Sequence, residues 1–367
     1  MTDKERFVPD CVTLVADDLT GALDSAASFA DSAPASKVPV VWSPSAIPGR
    51  NAPLGVSTET RELSAGAARS GVLDAFAALP EAGLHFKKID SLARGNTAVE
   101  IAACAESGLF TSLIVAPAFP QQGRCVDGGR IEAGGVVVDL SKLLAEAKVT
   151  FETCAPGAGI PVRTGVALCD AATDADLKHI VAAAGLMEAP VLFCGSSGLA
   201  GALTPPPGRF RDAPLPDFAV VGSQTAMSRA HLARLSQSFG MAIRSAPGAW
   251  RDSVDWAARR LAVGFDMPTL KADDARRAIN ETLREAVLSR AQPEAMFVVG
   301  GDTLRSVLDA AGATSVDVEG AWAPGIAVSR LTDGRWAGTW LYSMSGSFDD
   351  AGLIKAISQG DRCSAHP

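Results

Sequence analysis

Short apolar runs alternate along the chain with longer segments whose apolar residues have helical spacing. Val12–Val15 is typical of a buried strand, and the alanine-rich segment after Gly21 is typical of a helix packed on a sheet. The same patterns predict strands at Val38–Trp42, Leu54–Ser57, Leu84–Ile89, Ser112–Ala116, Gly165–Leu168 and Val191–Cys194, and helices at Ser64–Leu79, Thr97–Ala105 and Asp174–Ala184, the last capped by Asp174. This alternation predicts an α/β fold with mainly parallel sheets.

A proline-rich stretch, Thr204–Pro216, separates two such patterns. It contains five prolines and no apolar period, which predicts an extended and stiff connector. We therefore expect an N-terminal domain over residues 1–206, a linker over 207–216 and a C-terminal domain over 217–367. The second pattern predicts strands at Phe218–Val221, Met296–Val299 and Trp340–Ser343, and helices at Ser228–Ser238, Asp273–Ser289 and Leu304–Ala311.

Composition narrows the class of protein. The 367 residues are 47% hydrophobic and 20% charged, with a net charge of −8 and no basic block, so a nucleic-acid partner is not expected. No apolar run approaches the roughly 20 residues of a membrane helix, and the first ten residues lack the apolar core of a signal peptide. We expect a cytoplasmic protein without a membrane partner; a homodimer is compatible with the sequence. Seven cysteines without a C-x-x-C pair indicate reduced structural thiols, and no metal-binding pattern occurs.

Polar side chains follow several predicted strands of the first half. Because the carboxyl ends of parallel strands meet at one edge of a sheet, we expect these side chains to converge. Arginine binds a carboxylate with two hydrogen bonds and aspartate accepts from hydroxyls, so the set suits a small polyhydroxylated acid. Ordinary loop charges with local salt bridges are the alternative. The clusters are Asp17, Asp18 and Thr20; Thr58 and Arg61; Lys88, Asp90, Ser91, Arg94 and Asn96; and Gln121 and Arg124.

Turns of small residues follow three predicted strands of the second half. Val298–Thr303 contains Gly300 and Gly301 before a helix start, and glycines there let the backbone approach an anion. Val221–Thr225 and Ser345–Ser347 also place small residues directly after a strand, where the backbone could approach an anion. Each of the turns could instead merely reverse the chain direction. No Walker A or G-x-G-x-x-G pattern occurs. A polyol-acid site and a phosphate site together predict a kinase with its active site in the interdomain cleft.

Four motifs show a resemblance to a known family. VADDLTGALD, KKIDSLARGN, PAFPQQGR and GGDT resemble the four-carbon acid sugar kinase family, once known as a domain of unknown function. The resemblance implies a phosphotransferase with an alcohol group as acceptor, which uses ATP and acts on tetronate-type acids such as threonate and erythronate. It also implies that the N-terminal domain binds the sugar acid and the C-terminal domain binds ATP, and the chemistry implies Mg²⁺.

Site residues are carried over by motif and from the polar clusters. Asp18 or Asp90 is expected to act as the base, because a carboxylate is required near the acceptor hydroxyl. Asp302 could hold Mg²⁺ or simply cap its helix. The substrate is expected to be bound by Asp17, Thr20, Arg61, Lys88, Ser91, Arg94 and Arg124, and ATP by Ser223, Gly300, Gly301, Asp302, Thr303 and Gly346.

Departures from the family pattern keep two other functions open. Met344 stands where the family has a lysine, and Leu92 and Ala93 stand in place of a Thr-Leu pair. These changes favour a member that binds a sugar acid and a nucleotide without efficient turnover. A sugar phosphatase of the haloacid dehalogenase type is a second alternative, but its D-x-D-x-T spacing does not fit the adjacent Asp17 and Asp18.

Overall fold

The chain forms two compact units, Met1–Gly208 and Arg209–Pro367. The structure is a computed structural model that describes residues 12–30, 37–42, 54–204, 210, 212–222, 225–246, 249–265 and 272–359. Within these ranges no helix combines the length and the apolarity that crossing a bilayer requires. Of the positions discussed above, residues 205–209 and 211 of the proline-rich stretch and Ser223 and Gln224 of the turn after Val221 lie outside the described residues, as do two of the seven cysteines, Cys11 and Cys363.

The first unit is built around a parallel sheet of eight strands. Its strand order is β2-β3-β1-β4-β11-β5-β10-β9, and β6, β7 and β8 form a separate antiparallel sheet. The strands are β1 (Val12–Ala16), β2 (Val38–Val41), β3 (Leu54–Ser57), β4 (Leu84–Lys88), β5 (Ser112–Ala116), β6 (Arg124–Asp127), β7 (Arg130–Ala133), β8 (Val136–Asp139), β9 (Phe151–Cys154), β10 (Gly165–Cys169) and β11 (Val191–Gly195). The helices are α1 (Leu19–Ala30), α2 (Ala65–Ala78), α3 (Thr97–Glu106), α4 (Leu140–Glu146), α5 (Asp174–Ala184) and α6 (Ser197–Leu203).

Helices cover this sheet in two groups. α1 packs against α6 and α6 against α5, whereas α2 packs against α3 and α3 against α4. Every residue of β1 and of β5 is buried, which explains their continuous apolar runs. Phe29 of α1 packs edge-to-face on Phe86 of β4, with ring centroids 5.5 Å apart. The carboxyl ends of the central strands are therefore held on a rigid, fully packed support.

The second unit contains a mixed sheet with a parallel centre. Its order is β14-β13-β15-β12-β16-β19-β18-β17, in which β13, β15, β12, β16 and β19 pair parallel and the outer strands pair antiparallel. The predicted α/β class with mainly parallel sheets is thus confirmed. The strands are β12 (Phe218–Val221), β13 (Gly240–Ala246), β14 (Ala249–Trp250), β15 (Leu261–Phe265), β16 (Ala295–Val299), β17 (Ser315–Ala323), β18 (Ile326–Leu331) and β19 (Trp340–Met344), and the helices are α7 (Ala226–Leu235), α8 (Ala272–Ser289), α9 (Gly301–Ala311) and α10 (Leu353–Gln359).

One predicted cap differs from the structure. The cap of α5 is Thr173, and Asp174 is the first helical residue. Thr173 Oγ1 accepts a hydrogen bond from the Asp176 amide at 3.1 Å, and the Asp176 carboxylate accepts from the Thr173 amide at 2.9 Å. This reciprocal capping box satisfies two amides that the helix leaves unpaired, which a cap at Asp174 would not do.

We expect Thr173→Ala to destabilise the protein by about 1 kcal/mol, because the α5 cap loses its acceptor. Urea unfolding followed by circular dichroism measures this change. Thr150→Ala, at an exposed threonine of the same unit, serves as the control and should change the free energy of unfolding by less than about 0.5 kcal/mol. Equal effects of the two substitutions would contradict the assigned cap.

Candidate active site

The predicted polar clusters of the first unit meet at one edge of its sheet. β1 lies between β3 and β4, and Ala16 is in register with Ser57 and with Lys88. The segments that follow these three strands therefore start at the same level. They carry, in order, the pair Asp17 and Asp18, the loop to Arg61, and the loop that begins at Asp90.

Arg61 joins the two carboxylates that follow β1. Its Nε donates to Asp17 Oδ2 at 2.8 Å, and its Nη1 donates to Asp18 Oδ2 at 3.0 Å. Its Nη2 lies 2.9 Å from Asp18 Oδ1 and 3.7 Å from Asp90 Oδ1. One guanidinium thus neutralises part of the charge of three carboxylates and fixes their separation.

A second arginine holds Asp90. Arg94 Nε donates to Asp90 Oδ2 at 2.9 Å and Arg94 Nη2 donates to Oδ1 at 2.7 Å, a bidentate geometry. The amides of Leu92 and Arg94 also donate to Asp90 Oδ2, at 3.1 and 3.2 Å. The neighbouring Ser91 accepts a hydrogen bond from Arg124 Nη1, which brings the start of β6 to the same place.

The surroundings shift the pKa values of the three aspartates in different directions. Burial raises the pKa of Asp18 above its usual range; Arg61 opposes this shift, and the negative charges of Asp17 and Asp90 add to it. Burial acts in the same direction on Asp17, but Arg61, Lys87 and Lys88 outweigh it and hold the pKa of Asp17 below its usual range. The pKa of Asp90 is also lowered, because its hydrogen bonds with Arg94 and the charge of Arg61 outweigh burial. Asp18 is therefore the strongest base of the three.

The first turn of α1 lies directly against this cluster. A Cβ at Gly21 would lie 2.5 Å from Asp18 Oδ1 and 2.9 Å from Lys88 Nζ, so the missing side chain lets these groups approach the helix. The Gly21 amide donates to Asp18 Oδ1 at 3.0 Å. Thr20 Oγ1 and Asp17 Oδ1 are buried and make no hydrogen bond with any described residue. Buried polar atoms of this kind gain a partner when a hydroxylated ligand binds.

The loop that carries Arg61 is fixed by the segment that follows Asp90. Asn96 Nδ2 donates to the carbonyls of Thr60 and Leu63, both at 2.9 Å. Gly95 has φ +66°, and a Cβ there would lie 2.5 Å from the Arg61 carbonyl oxygen, so both backbone conformation and space require glycine. Gly95 was missed as a site residue because it has no reactive group. Its place between an arginine and an asparagine is the signal that could have identified it.

Small-residue turns of the second unit also meet at one sheet edge. β12, β16 and β19 are parallel neighbours. A Cβ at Gly222, after β12, would collide with the side chain of Thr303 in the first turn of α9. Gly300, after β16, has φ +107°, and its amide donates to the Met344 carbonyl at 2.9 Å. Gly301 begins α9. The backbone at Gly300 thus lies close to the backbone at Met344, where β16 and β19 end.

The third turn is attached to the start of α7. Thr225 caps this helix by accepting from the Ser228 amide at 3.1 Å. The Gly346 carbonyl lies 2.7 Å from Thr225 Oγ1 and 3.1 Å from Ser228 Oγ. The N-termini of α7 and α9 therefore lie at the same sheet edge as Gly346, and helix N-termini attract phosphate groups.

The positions of Asp302 and Met344 bear on the expected nucleotide site. Asp302 is not the cap of α9, because Gly300 occupies that position and Asp302 lies within the first turn. Its side chain is 79% exposed, 3.5 Å from Arg276 Nη2. Met344 is 1% exposed and packs in the apolar core with Val221 and Val299. The structure therefore provides no cation at position 344.

The structure thus brings together all nine predicted site residues of the first unit. In the second unit it brings together Gly300, Gly301, Thr303 and Gly346, with Asp302 at the surface beside them.

The chain is similar to several known proteins. Residues 12–155 match a family model described as a sugar-binding N-terminal domain. A D-threonate kinase of Cupriavidus necator is 30% identical, over 86% of this chain and 89% of that protein. The chain belongs to the four-carbon acid sugar kinase family. A D-threonate kinase of Bordetella bronchiseptica is 28% identical over 96% of this chain and 97% of that protein.

A solved structure supports the fold of this family member. A Haemophilus influenzae protein matches 95% of this chain and 99% of its own, with a TM-score of 0.67 and 17% identity. The kinases among the relatives establish the enzyme class, so this member of the family is a kinase acting on an alcohol group.

We expect Gly21→Ala to impair the site, because the new Cβ displaces Asp18 or Lys88. Gly201→Ala is the matched control: it adds the same methyl group to a helical glycine with nothing within 4 Å of the added Cβ. The control should raise stability by about 0.5–1 kcal/mol. Thermal unfolding compares the two variants, and the Gly21 variant should be less stable than wild type because Asp18 or Lys88 must move. A Gly21 variant as stable as the control would contradict the close approach described here.

Proposed function

We propose that this chain is an ATP-dependent kinase that phosphorylates a hydroxyl of a four-carbon sugar acid, with D-threonate as the first compound to test. The observation that carries the proposal is the charged cluster at the ends of β1, β3 and β4. It combines arginines for a carboxylate, buried acceptors for hydroxyls, and one aspartate with a raised pKa.

The cations of this cluster suit an acid. They are Lys88, Arg61, Arg94 and Arg124. Arginine can bind a carboxylate with two directed hydrogen bonds, which is the contact that the acid group of a sugar acid would make. The carboxylates among these cations are Asp17, Asp18, Asp90 and Asp24, the last of which acts on Arg124.

We assign the role of base to Asp18 rather than to Asp90. Both aspartates are held by an arginine, but the pKa of Asp90 is lowered by its hydrogen bonds with Arg94. Asp18 is the more exposed of the two side chains, 19% against 6%, and its pKa is raised. A carboxylate with a raised pKa accepts the proton of an acceptor hydroxyl more readily. Asp90 then serves to hold Arg94 in place.

We assign nucleotide binding to the three turns of the second unit. The close approach of Gly222 to Thr303 and the left-handed Gly300 leave backbone amides at the starts of α7 and α9 for phosphate oxygens. Mg²⁺ would neutralise charge on the transferred phosphoryl group, and Asp302 is the carboxylate that could bind it through water. The residues of this chain would supply position and charge, which phosphoryl transfer chiefly requires.

The direct test measures ADP release from ATP–Mg²⁺ with D-threonate and other tetronates, after thermal-shift titration with each ligand. The proposal expects stabilisation by both ligands and ADP formation that depends on one tetronate. Stabilisation by both without ADP would favour a binding protein without turnover, for which the buried Met344 is the supporting observation. Phosphate release from sugar phosphates without ATP would favour a phosphatase.

Asp18→Asn should lower kcat by about 10²–10⁴-fold, because the amide cannot accept the proton of the hydroxyl. Asp74→Asn, at an exposed aspartate of α2, is the control and should leave kcat unchanged. Steady-state kinetics with a coupled ADP assay measures both. Turnover by the Asp18 variant within a few-fold of wild type would rule out this residue as the base.

The pH profile of kcat/KM should fall on the acid side as Asp18 becomes protonated. Because burial raises the pKa of Asp18, the fall should occur at higher pH than an unperturbed aspartate would give. Activity is then retained above the raised pKa and lost below it. A profile that stays flat down to the pKa of an ordinary aspartate would contradict the assignment.

A further inference from the structure

A fully buried ion pair connects β4 to α3. Lys87 Nζ lies 2.7 Å from Glu100 Oε2, and both side chains are 0% exposed. Glu100 Oε1 accepts a hydrogen bond from Thr60 Oγ1. Thr60 Oγ1 also lies 2.7 Å from Thr58 Oγ1, whose proton goes to the Ala16 carbonyl at 2.9 Å. Thr60 thus connects the ion pair to the loop that ends at Arg61.

The side chains of Lys87 and Lys88 in β4 lie on opposite faces of the sheet. Successive strand residues point to opposite sides: Lys88 approaches α1 at Gly21, and Lys87 meets Glu100 on α3. Lys87 Nζ also donates to the Lys88 carbonyl at 2.9 Å. Lys87 therefore lies behind the residues that face the candidate ligand and cannot itself touch that ligand.

Fold stability alone does not account for this pair. Removing two charges from water costs several kcal/mol per ion, and apolar replacement of a buried pair is often neutral or stabilising. Burial acts to lower the pKa of Lys87, but Glu100 and Asp17 outweigh it and raise that pKa, with a smaller contribution from Cys104. Lys87 therefore remains charged in its pair with Glu100.

We propose that Lys87 and Glu100 are positioning residues of the sugar-acid site. Lys87 holds Glu100 at 2.7 Å, Glu100 fixes the loop before Arg61 through Thr60, and Arg61 Nε is thereby placed 2.8 Å from Asp17 Oδ2. The role in sugar-acid binding rests on the proposed function, whereas the effect on the position of Arg61 does not.

Lys87→Met combined with Glu100→Gln removes both charges, retains similar volumes and leaves an acceptor for Thr60. We expect this double variant to fold and to lose about tenfold to a hundredfold in kcat/KM for the sugar acid, since small misplacements in a site cost up to about 10²-fold. The KM for ATP should not change. Arg69→Met with Glu106→Gln is the matched control, because that pair joins α2 to α3 at 2.6 Å but is about half exposed. It should leave kcat/KM unchanged.

A double-mutant cycle with Asp17→Asn separates positioning from general structural support. If Lys87 and Glu100 act through Asp17, removing the pair in the Asp17→Asn background should lower kcat/KM by less than about threefold, because interacting sites are not additive. Additive losses would overturn the proposal, as would wild-type kcat/KM in the folded double variant. If the double variant does not fold, Glu100→Gln alone is used in the same cycle and judged by the same criterion.

The same cycle can be measured without turnover, by calorimetric titration of D-threonate in the absence of ATP. A wild-type protein that binds and phosphorylates no tetronate would refute the proposed function. The positioning role is then decided by a crystal structure of the ligand-free double variant, or of Glu100→Gln if the double variant does not fold. The proposal expects Arg61 Nε to leave hydrogen-bond distance of Asp17, and an unmoved Arg61 would overturn it.

Discussion

The guanidinium of Arg61 between Asp17 and Asp18 is the interaction on which the first unit's site depends. Two adjacent carboxylates at a buried strand end repel each other and lose hydration, and neither cost is acceptable without a cation within hydrogen-bond distance. Arg61 is this cation, with its Nε 2.8 Å from Asp17 Oδ2 and its Nη1 3.0 Å from Asp18 Oδ2. Since it comes from a different strand end, its ion pairs also fix the position of the loop after β3 relative to the start of α1. The same ion pairs of Arg61 thus balance the charge of the carboxylates and set the geometry of the site.

Backbone groups rather than ion pairs organise the candidate site of the second unit. Its candidate phosphate site contains few charged side chains; it consists of turns in which glycine permits close approach, at Gly222 against Thr303 and at Gly300. Amide groups and helix N-termini give partial positive charge without the desolvation cost of a full cation. This difference agrees with the chemistry of the two proposed ligands. A small acid needs a few directed ion pairs, whereas phosphates accept many weaker donors.

Much of the fold and part of the site could be predicted from the sequence. Most strands of the parallel sheets were found because burial on both faces leaves continuous apolar runs, as at Met296–Val299, but β9, β13 and β15 were missed although they also pair parallel. The four-residue strands of residues 124–139 and the antiparallel β17 and β18 were missed as well, since short or alternating segments give a weak pattern. Residues with reactive groups, such as Asp18 and Arg61, were found, but the pairing of Lys87 with Glu100 depends on tertiary contacts that spacing does not reveal. The placement of the active site between the domains stays a prediction.

The loop between Asp90 and Arg94 has a consequence for anyone who would engineer this enzyme for heat resistance. Ala93 has φ +51° and is 6% exposed, a backbone state that costs an L-amino acid about 1–3 kcal/mol. Glycine at this position would relieve that cost in the folded chain, but it would also widen the range of conformations open to the segment that orients Arg94. Stability at high temperature therefore favours glycine at position 93, whereas fast turnover favours alanine.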